Sequence, residues 1–154
     1  MRWEQGRADI DRMLADRRLQ RVPASREHAE RMLAQARRHL TSAQEICGND
    51  PEGGYALLYD AGRKALAAVL GNQGLRPTSA GGHLAVYEAV RAQLDPPMGA
   101  VLSPFDRMRR QRRDAEYPQV DAPRLSADDV REDVPKVQAI IDLAVGVLDG
   151  MSPF

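Results

Sequence analysis

A chain of 154 residues with 22 basic and 22 acidic side chains has no formal net charge, so no global field draws it to nucleic acid or to a membrane surface. Its 43% hydrophobic content consists mainly of Ala and Leu, aromatic residues make up only 5%, and sheet-forming runs of Val, Ile, Thr and aromatics are absent. The length suits one well-buried domain and is short for two, and the expected class is all-α.

In chain order, residues 7–21 predict a first helix with Ile10, Met13 and Leu14 on one side. Val22-Pro23-Ala24-Ser25 breaks it, and Ser25 is a good N-cap for a second helix over about 26–47. There Ala29, Met32, Leu33, Ala36, Leu40, Ala43 and Cys47 follow the i, i+3, i+4, i+7 rhythm, opposite a charged face that belongs in water. The Gly-rich stretch 48–54 reads as a turn. A third helix, 55–71, is apolar on most sides through Tyr55, Leu57, Leu58, Tyr59, Leu66, Ala67, Val69 and Leu70, which predicts the central and most buried helix. Gly62 inside it costs about 1 kcal/mol relative to Ala, which points to the close approach of another backbone.

A Gly/Pro/Ser loop at 71–82 leads to a fourth helix over about 83–94, with His83, Tyr87, Val90 and Leu94 aligned and Asp95-Pro96-Pro97 ending it. Ser103-Pro104-Phe105-Asp106 has the pattern of a helix start, with Ser as N-cap, Pro at the first position and an acid at the third. This fifth helix stops before Pro118, because a proline pushes its predecessor out of the α region. Ser126, followed by Asp128 and Asp129, caps a last helix whose stripe is Val130, Val134, Val137, Ile141, Ala144 and Leu148. Pro135 is expected to kink that helix or delay its start. The expected architecture is a five- to six-helix bundle in one domain, with its core over about 7–148.

Charge is uneven along the chain. Residues 1–47 hold 10 basic and 7 acidic side chains, whereas 119–154 hold 3 and 7, which predicts a contact between the acidic last helix and an arginine-rich part, within or between chains. The single cysteine, Cys47, excludes an internal disulfide framework, fits a reducing compartment and reads as core. The polar start has no secretory apolar region, and the late apolar run 139–148 is short and carries Asp142. The expectation is a cytoplasmic protein with no membrane contact.

Candidate chemistry concentrates in the fifth helix, where Arg107, Arg109, Arg110, Arg112 and Arg113 lie within seven residues and Arg113-Asp114 precede Tyr117-Pro118. Asp106–Arg110, Arg110–Asp114 and Arg112–Glu116 are i,i+4 pairs, each contributing about 0.2–0.5 kcal/mol on a helix surface, so a solvated, self-neutralised face is one reading. Arg109, Arg113 and Tyr117 share a stripe that the acids do not fully neutralise, which is the other reading, a site for an anion. Arg63 lies on the helix destined for burial and needs an anionic partner, which Asp60 one turn earlier or a ligand would supply. His28, His39 and His83 have no metal-ligand spacing, so no metal is expected. His83 follows Gly81-Gly82 and is suited either to proton transfer or to packing at a helix start. With no phosphate-binding glycine motif and no Ser/His/Asp order, no cofactor is expected.

Taken in order, three pieces resemble the HEPN superfamily (higher eukaryotes and prokaryotes nucleotide-binding), helical domains of toxin–antitoxin, RNA-processing and defence systems. They are the N-terminal helix pair, the central Tyr55-x-x-x-Tyr59-Asp60-Ala61-Gly62-Arg63-Lys64 helix followed by Gly82-His83, and Phe105-x-x-Met108-x-x-x-Arg112-Arg113-Asp114-x-x-Tyr117. The resemblance spans about residues 7–148 and implies a HEPN-like up-and-down bundle that pairs as a homodimer. Ribonuclease members use an arginine, a polar residue and a histidine four to six positions beyond the arginine, in a metal-independent reaction. Arg113 and Asp114 match the first two, whereas Pro118 and Gln119 stand where the histidine would fall. Tyr117, with an ordinary pKa near 10, is a weak base at neutral pH. Other members bind nucleotides or partners, including a minimal nucleotidyltransferase.

The resemblance therefore implies first a binding or regulatory module in which Arg109, Arg113, Asp114, Tyr117 and Arg63 meet a nucleotide, RNA or an acidic partner. The alternative is a degenerate endoribonuclease with Arg113 on the phosphate and Tyr117, or His83 from elsewhere in the fold, as acid/base. A purely structural interaction protein with a solubilising arginine face is the third reading.

Overall fold

The computed structural model describes residues 3–121 and 123–154. Six helices and one small hairpin-like pairing follow in the order α1 (Arg7–Ala15), β1 (Leu19–Arg21), α2 (Arg26–Ile46), α3 (Pro51–Gln73), β2 (Leu75–Pro77), α4 (Gly82–Leu94), α5 (Gly99–Glu116) and α6 (Ala127–Val147). The class is an all-α helical bundle. Among the described residues no helix is long and apolar enough to cross a membrane.

Local chemistry explains most boundaries. The Ser25 side chain accepts from the His28 N–H at 3.1 Å and starts α2. Asp50 does the same for Gly53 at 3.0 Å, with Pro51 at the first helical position. The stretch 48–54 is therefore turn only as far as Asp50, and Gly53 and Gly54 belong to α3. Ser126 and Asp129 exchange a reciprocal capping box at the start of α6. That helix runs through Pro135 without a delayed start, because Val130, Val137, Ile140, Ile141 and Ala144 bury a stripe that spans the proline.

Two further expected boundaries move. The first helix ends at Ala15 rather than near 21, and Arg17 takes a left-handed φ of 58°. Leu19 then pairs antiparallel with Pro77, and Arg21 with Leu75. Nothing in Asp16-Arg17-Arg18 breaks a helix; the partner strand, far along the chain, decides it. The fifth helix begins at Gly99, not at Ser103, and Pro104 lies inside it. Leu102 is fully buried one turn before Phe105, so the core rewards an earlier start than the local cap signal suggests.

α3 packs against α2, α4, α5 and α6 and is the centre of the bundle. Tyr55, Leu58, Tyr59, Ala65 and Leu70 are fully buried, and one hydrophobic cluster extends from Ile10 to Met151. Gly62 does admit a close neighbour, but it is the Phe105 ring rather than a backbone: a Cβ at Gly62 would sit 3.4 Å from it.

Gly74 ends α3 at φ 82°, and a Cβ there would lie 2.8 Å from the Val22 carbonyl oxygen. That carbonyl belongs to the segment leading from β1 into α2, so Gly74 joins the small sheet to the bundle. Gly74→Ala is expected to lower stability by about 1–2 kcal/mol, from the left-handed backbone and the contact together, read as a lower urea midpoint at unchanged slope.

Candidate functional site

The fifth helix presents two different surfaces. Leu102, Phe105 and Met108 are buried, and the same face continues through Arg109 and Arg112, four and seven residues beyond Phe105. The arginine-rich half of α5 therefore rises out of the core beside Tyr59 of α3 and the first turn of α4. Between them lies a cavity of about 370 Å³ lined by Tyr59, His83, Arg109, Arg112, Arg113, Glu116 and Tyr117, with Gly81 and Leu84 at its edge.

The floor is aromatic. The Tyr59 ring is stacked on Phe105 at 5.2 Å between centroids and 17° between planes. The Arg112 guanidinium lies over the Tyr59 ring, 5.3 Å from its centroid. The Tyr59 hydroxyl meets His83 Nδ1 at 2.8 Å. Gly81 and Gly82 make this placement possible: a Cβ at Gly81 would lie 2.2 Å from the Arg18 carbonyl oxygen, and Gly82 has a φ of 59°.

Electrostatics keep the Tyr59–His83 pair neutral. Burial, helped by Arg63 and Arg112, holds the His83 imidazole below its ordinary value. Burial pushes the Tyr59 phenol up to about 12, against the nearby arginines. At neutral pH a neutral ring thus faces a protonated phenol. With the phenol donating, Nε2 carries the ring hydrogen; with Nδ1–H donating to the phenol oxygen, Nε2 is an open acceptor.

The cations are unequally satisfied. Arg109 donates through Nε and Nη2 to Asp106 at 3.1 and 3.0 Å, so within the expected incompletely neutralised stripe it is the paired member. Arg112 pairs with Glu116 at 2.9 Å, but its buried Nε has no hydrogen-bond partner among the described residues. Arg113 is exposed and makes no ion pair among the described residues. Of the three expected i,i+4 pairs, Asp106–Arg110 forms at 3.6 Å and Arg112–Glu116 at 2.9 Å, whereas Arg110–Asp114 does not form among the described residues.

Of the residues singled out from sequence, Arg109, Arg113, Tyr117 and His83 meet at this cavity. Asp114 does not, because consecutive helical residues point about 100° apart. It lines an open groove on the opposite side of α5 with Gln111, Pro118 and Leu125. Arg63 pairs with Asp60 at 3.4 Å and lines a separate cavity of about 400 Å³ with His28, Met32, Ala67 and Leu75. Its charge is nevertheless felt at His83.

Sequence reading missed Tyr59, Arg112 and Glu116 as members of the site. For Arg112 a signal existed: it stands four residues after Met108 and seven after Phe105, both buried, so it falls on the core side of the helix. Tyr59 had none, since a tyrosine on a buried stripe reads as core. Among the described residues no three His, Cys, Asp or Glu side chains are grouped to hold a metal.

The acidic last helix does meet the arginine helix, through Arg107 and Asp133 at 2.6 Å within the chain. Asp133 is 4% exposed in its side chain and also accepts from Tyr55 and Lys136, at 3.0 and 3.1 Å. This network ties α5 to α3 and α6. The chain as a whole matches no family model, no curated protein and no solved structure.

Proposed function

We propose that the cleft between α4 and α5 binds the phosphate of a nucleotide or of RNA, and that the chain is a HEPN-like binding or regulatory module of toxin–antitoxin or defence type. The observation that carries this reading is the convergence of Arg109, Arg112 and Arg113 on one cavity with an uncharged histidine and two tyrosines. Guanidinium groups suit phosphate because their N–H donors match its oxygens, and an aromatic floor holds them in place. Tyr117, 71% exposed at the rim, is a stacking surface for a base and is open to a partner such as a minimal nucleotidyltransferase. In this reading the physiological unit is a homodimer.

The double variant Arg109→Ala/Arg113→Ala is expected to weaken adenosine 5′-monophosphate binding about 10–100-fold, the loss of one or two charge-assisted contacts. Titration calorimetry reads the affinity and a thermal melt checks that the fold persists. Unchanged affinity would leave the arginines as a solubilising face and favour a purely structural interaction protein.

One observation favours a second reading, a metal-independent endoribonuclease. His83, absent from the arginine motif in sequence, stands in the arginine cavity in space. In the tautomer with Nδ1–H donated to Tyr59, its Nε2 would take the proton of a 2′-hydroxyl as that oxygen bonds to phosphorus and return it to the 5′-oxygen as the P–O5′ bond breaks, leaving a 2′,3′-cyclic phosphate, while Arg113 or Arg112 meets the phosphate charge. Wild type is to be assayed on single-stranded RNA in EDTA beside His83→Ala and Arg113→Ala. Cleavage by the wild type alone would replace the binding reading with this one; binding without cleavage is the expected result.

A further inference from the structure

Three features of the arginine cleft concern Glu116, to which neither the fold nor anion binding gives a role. Its carboxylate lines the same cavity as Arg112 and Arg113 and pairs with Arg112 at 2.9 Å. It is the last residue of α5, where a negative charge meets the negative end of the helix dipole. It also follows its arginine by four residues, the weaker order for an i,i+4 pair, in which the acid does best on the N-terminal side. On both counts the helix gains little from an acid at this position.

Arg112, by contrast, is held in place without it. Its guanidinium rests over the Tyr59 ring, a contact in which the carboxylate takes no part. Glu116 is thus dispensable for placing the cation, while its charge sits where a ligand phosphate would arrive. Arg109 is already paired with Asp106 and Arg112 with Glu116, so among the described residues Arg113 is the one cation of the cleft that no carboxylate offsets.

We infer that Glu116 is a built-in counter-ion of the cleft that sets its charge selectivity, disfavouring dianionic phosphate monoesters relative to monoanionic phosphodiesters. The inference rests on the anion-binding reading of the cleft. The Coulomb energy between a fixed charge and a ligand is proportional to the ligand's charge. Removing one negative charge therefore helps a dianion twice as much, in free energy, as a monoanion in the same place. The fold-gain for the dianion is the square of that for the monoanion.

The test is calorimetric titration of the full chain and of Glu116→Gln with two probes. Adenosine 5′-monophosphate is the dianion at pH 7.5, and the dinucleoside monophosphate adenylyl-adenosine is the monoanion. Glu116→Gln is expected to bind the dinucleotide about threefold and the monophosphate about ninefold more tightly at low salt, both gains shrinking as salt screens the site. Equal gains, no gain, or weaker binding by Glu116→Gln would overturn the counter-ion role while leaving the cleft as a binding site. Absence of binding of either probe by either protein would overturn the anion-binding reading and this inference with it. Glu116→Ala, which keeps the helix-forming propensity of the position, gives the same ratio of gains if the charge alone is responsible.

Discussion

Phe105→Ala is expected to lower stability by about 4 kcal/mol, the cost of removing a large ring from a fully packed site that cannot close around the space. Phe105 is fully buried, stacked on Tyr59 at 5.2 Å, tilted against Tyr87 at 5.9 Å, and seated against Gly62. At this chain length the change corresponds to a fall in melting temperature of roughly 8–16 °C. The same substitution reaches the cleft, although Phe105 does not line it. Without the ring beneath it Tyr59 loses its support, and with it go the orientation of His83 and the surface on which Arg112 lies. Weaker monophosphate binding by the folded fraction of Phe105→Ala, beside normal binding by Phe105→Leu, would show the core positioning the site. Full binding by both would separate core from cleft.

Asp133→Ala is expected to cost about 3 kcal/mol. Removing one partner of a buried ion pair costs up to about 5 kcal/mol, and here water reaches part of Arg107 and lowers the figure. The carboxylate is almost wholly buried and accepts from Arg107 at 2.6 Å, Lys136 at 3.1 Å and Tyr55 at 3.0 Å. Asp133→Asn keeps the shape and loses the charge, so it is expected to fall between wild type and alanine. The pH dependence has a definite sign. Burial alone would raise the Asp133 carboxyl, but the hydrogen bonds from Arg107, Lys136 and Tyr55 outweigh it and hold the group below the usual carboxylate range. Its contribution is therefore complete above the ordinary aspartate value and is lost as pH falls through the depressed one. Urea melts from pH 7 to pH 3 are expected to show the gap between wild type and Asp133→Asn closing from about pH 5 downward. A gap constant across that range would mean that the charge is not what the network uses.

The helices were legible where a local cap met a periodic stripe. Ser25 and Ser126 each satisfy backbone N–H groups that no other part of the chain needs to reach, so their helices start where local chemistry starts them; the Asp50 cap instead opens α3 about one turn before the expected Tyr55, inside a glycine-rich stretch that reads as turn. Two other boundaries that moved were decided by distant partners. Arg17 takes a left-handed conformation because Leu19 to Arg21 pair with Leu75 to Pro77, and Gly99 opens α5 because Leu102 buries. The site divides along the same line. Arg109, Arg113 and Tyr117 share a helix, so 3.6-residue spacing places them together; Asp114 next to Arg113 in sequence is for the same reason turned away from it. His83 and Tyr59 come from other helices, and no spacing relates them to the arginines.

The chain by itself determined an all-α class, a central α3 and an arginine-bearing α5, because periodicity and capping act within a turn or two of each residue. Tertiary structure alone decided that Asp133 closes on Arg107, and that the Gly81-Gly82 corner brings His83 onto the Tyr59 hydroxyl. It also decided that Arg112, paired in sequence with Glu116, lies over an aromatic ring rather than in open water. The physical reason is that charge and polarity in a sequence state what a side chain can bind. Which partner it binds is settled only when burial of the core has fixed the distances between helices.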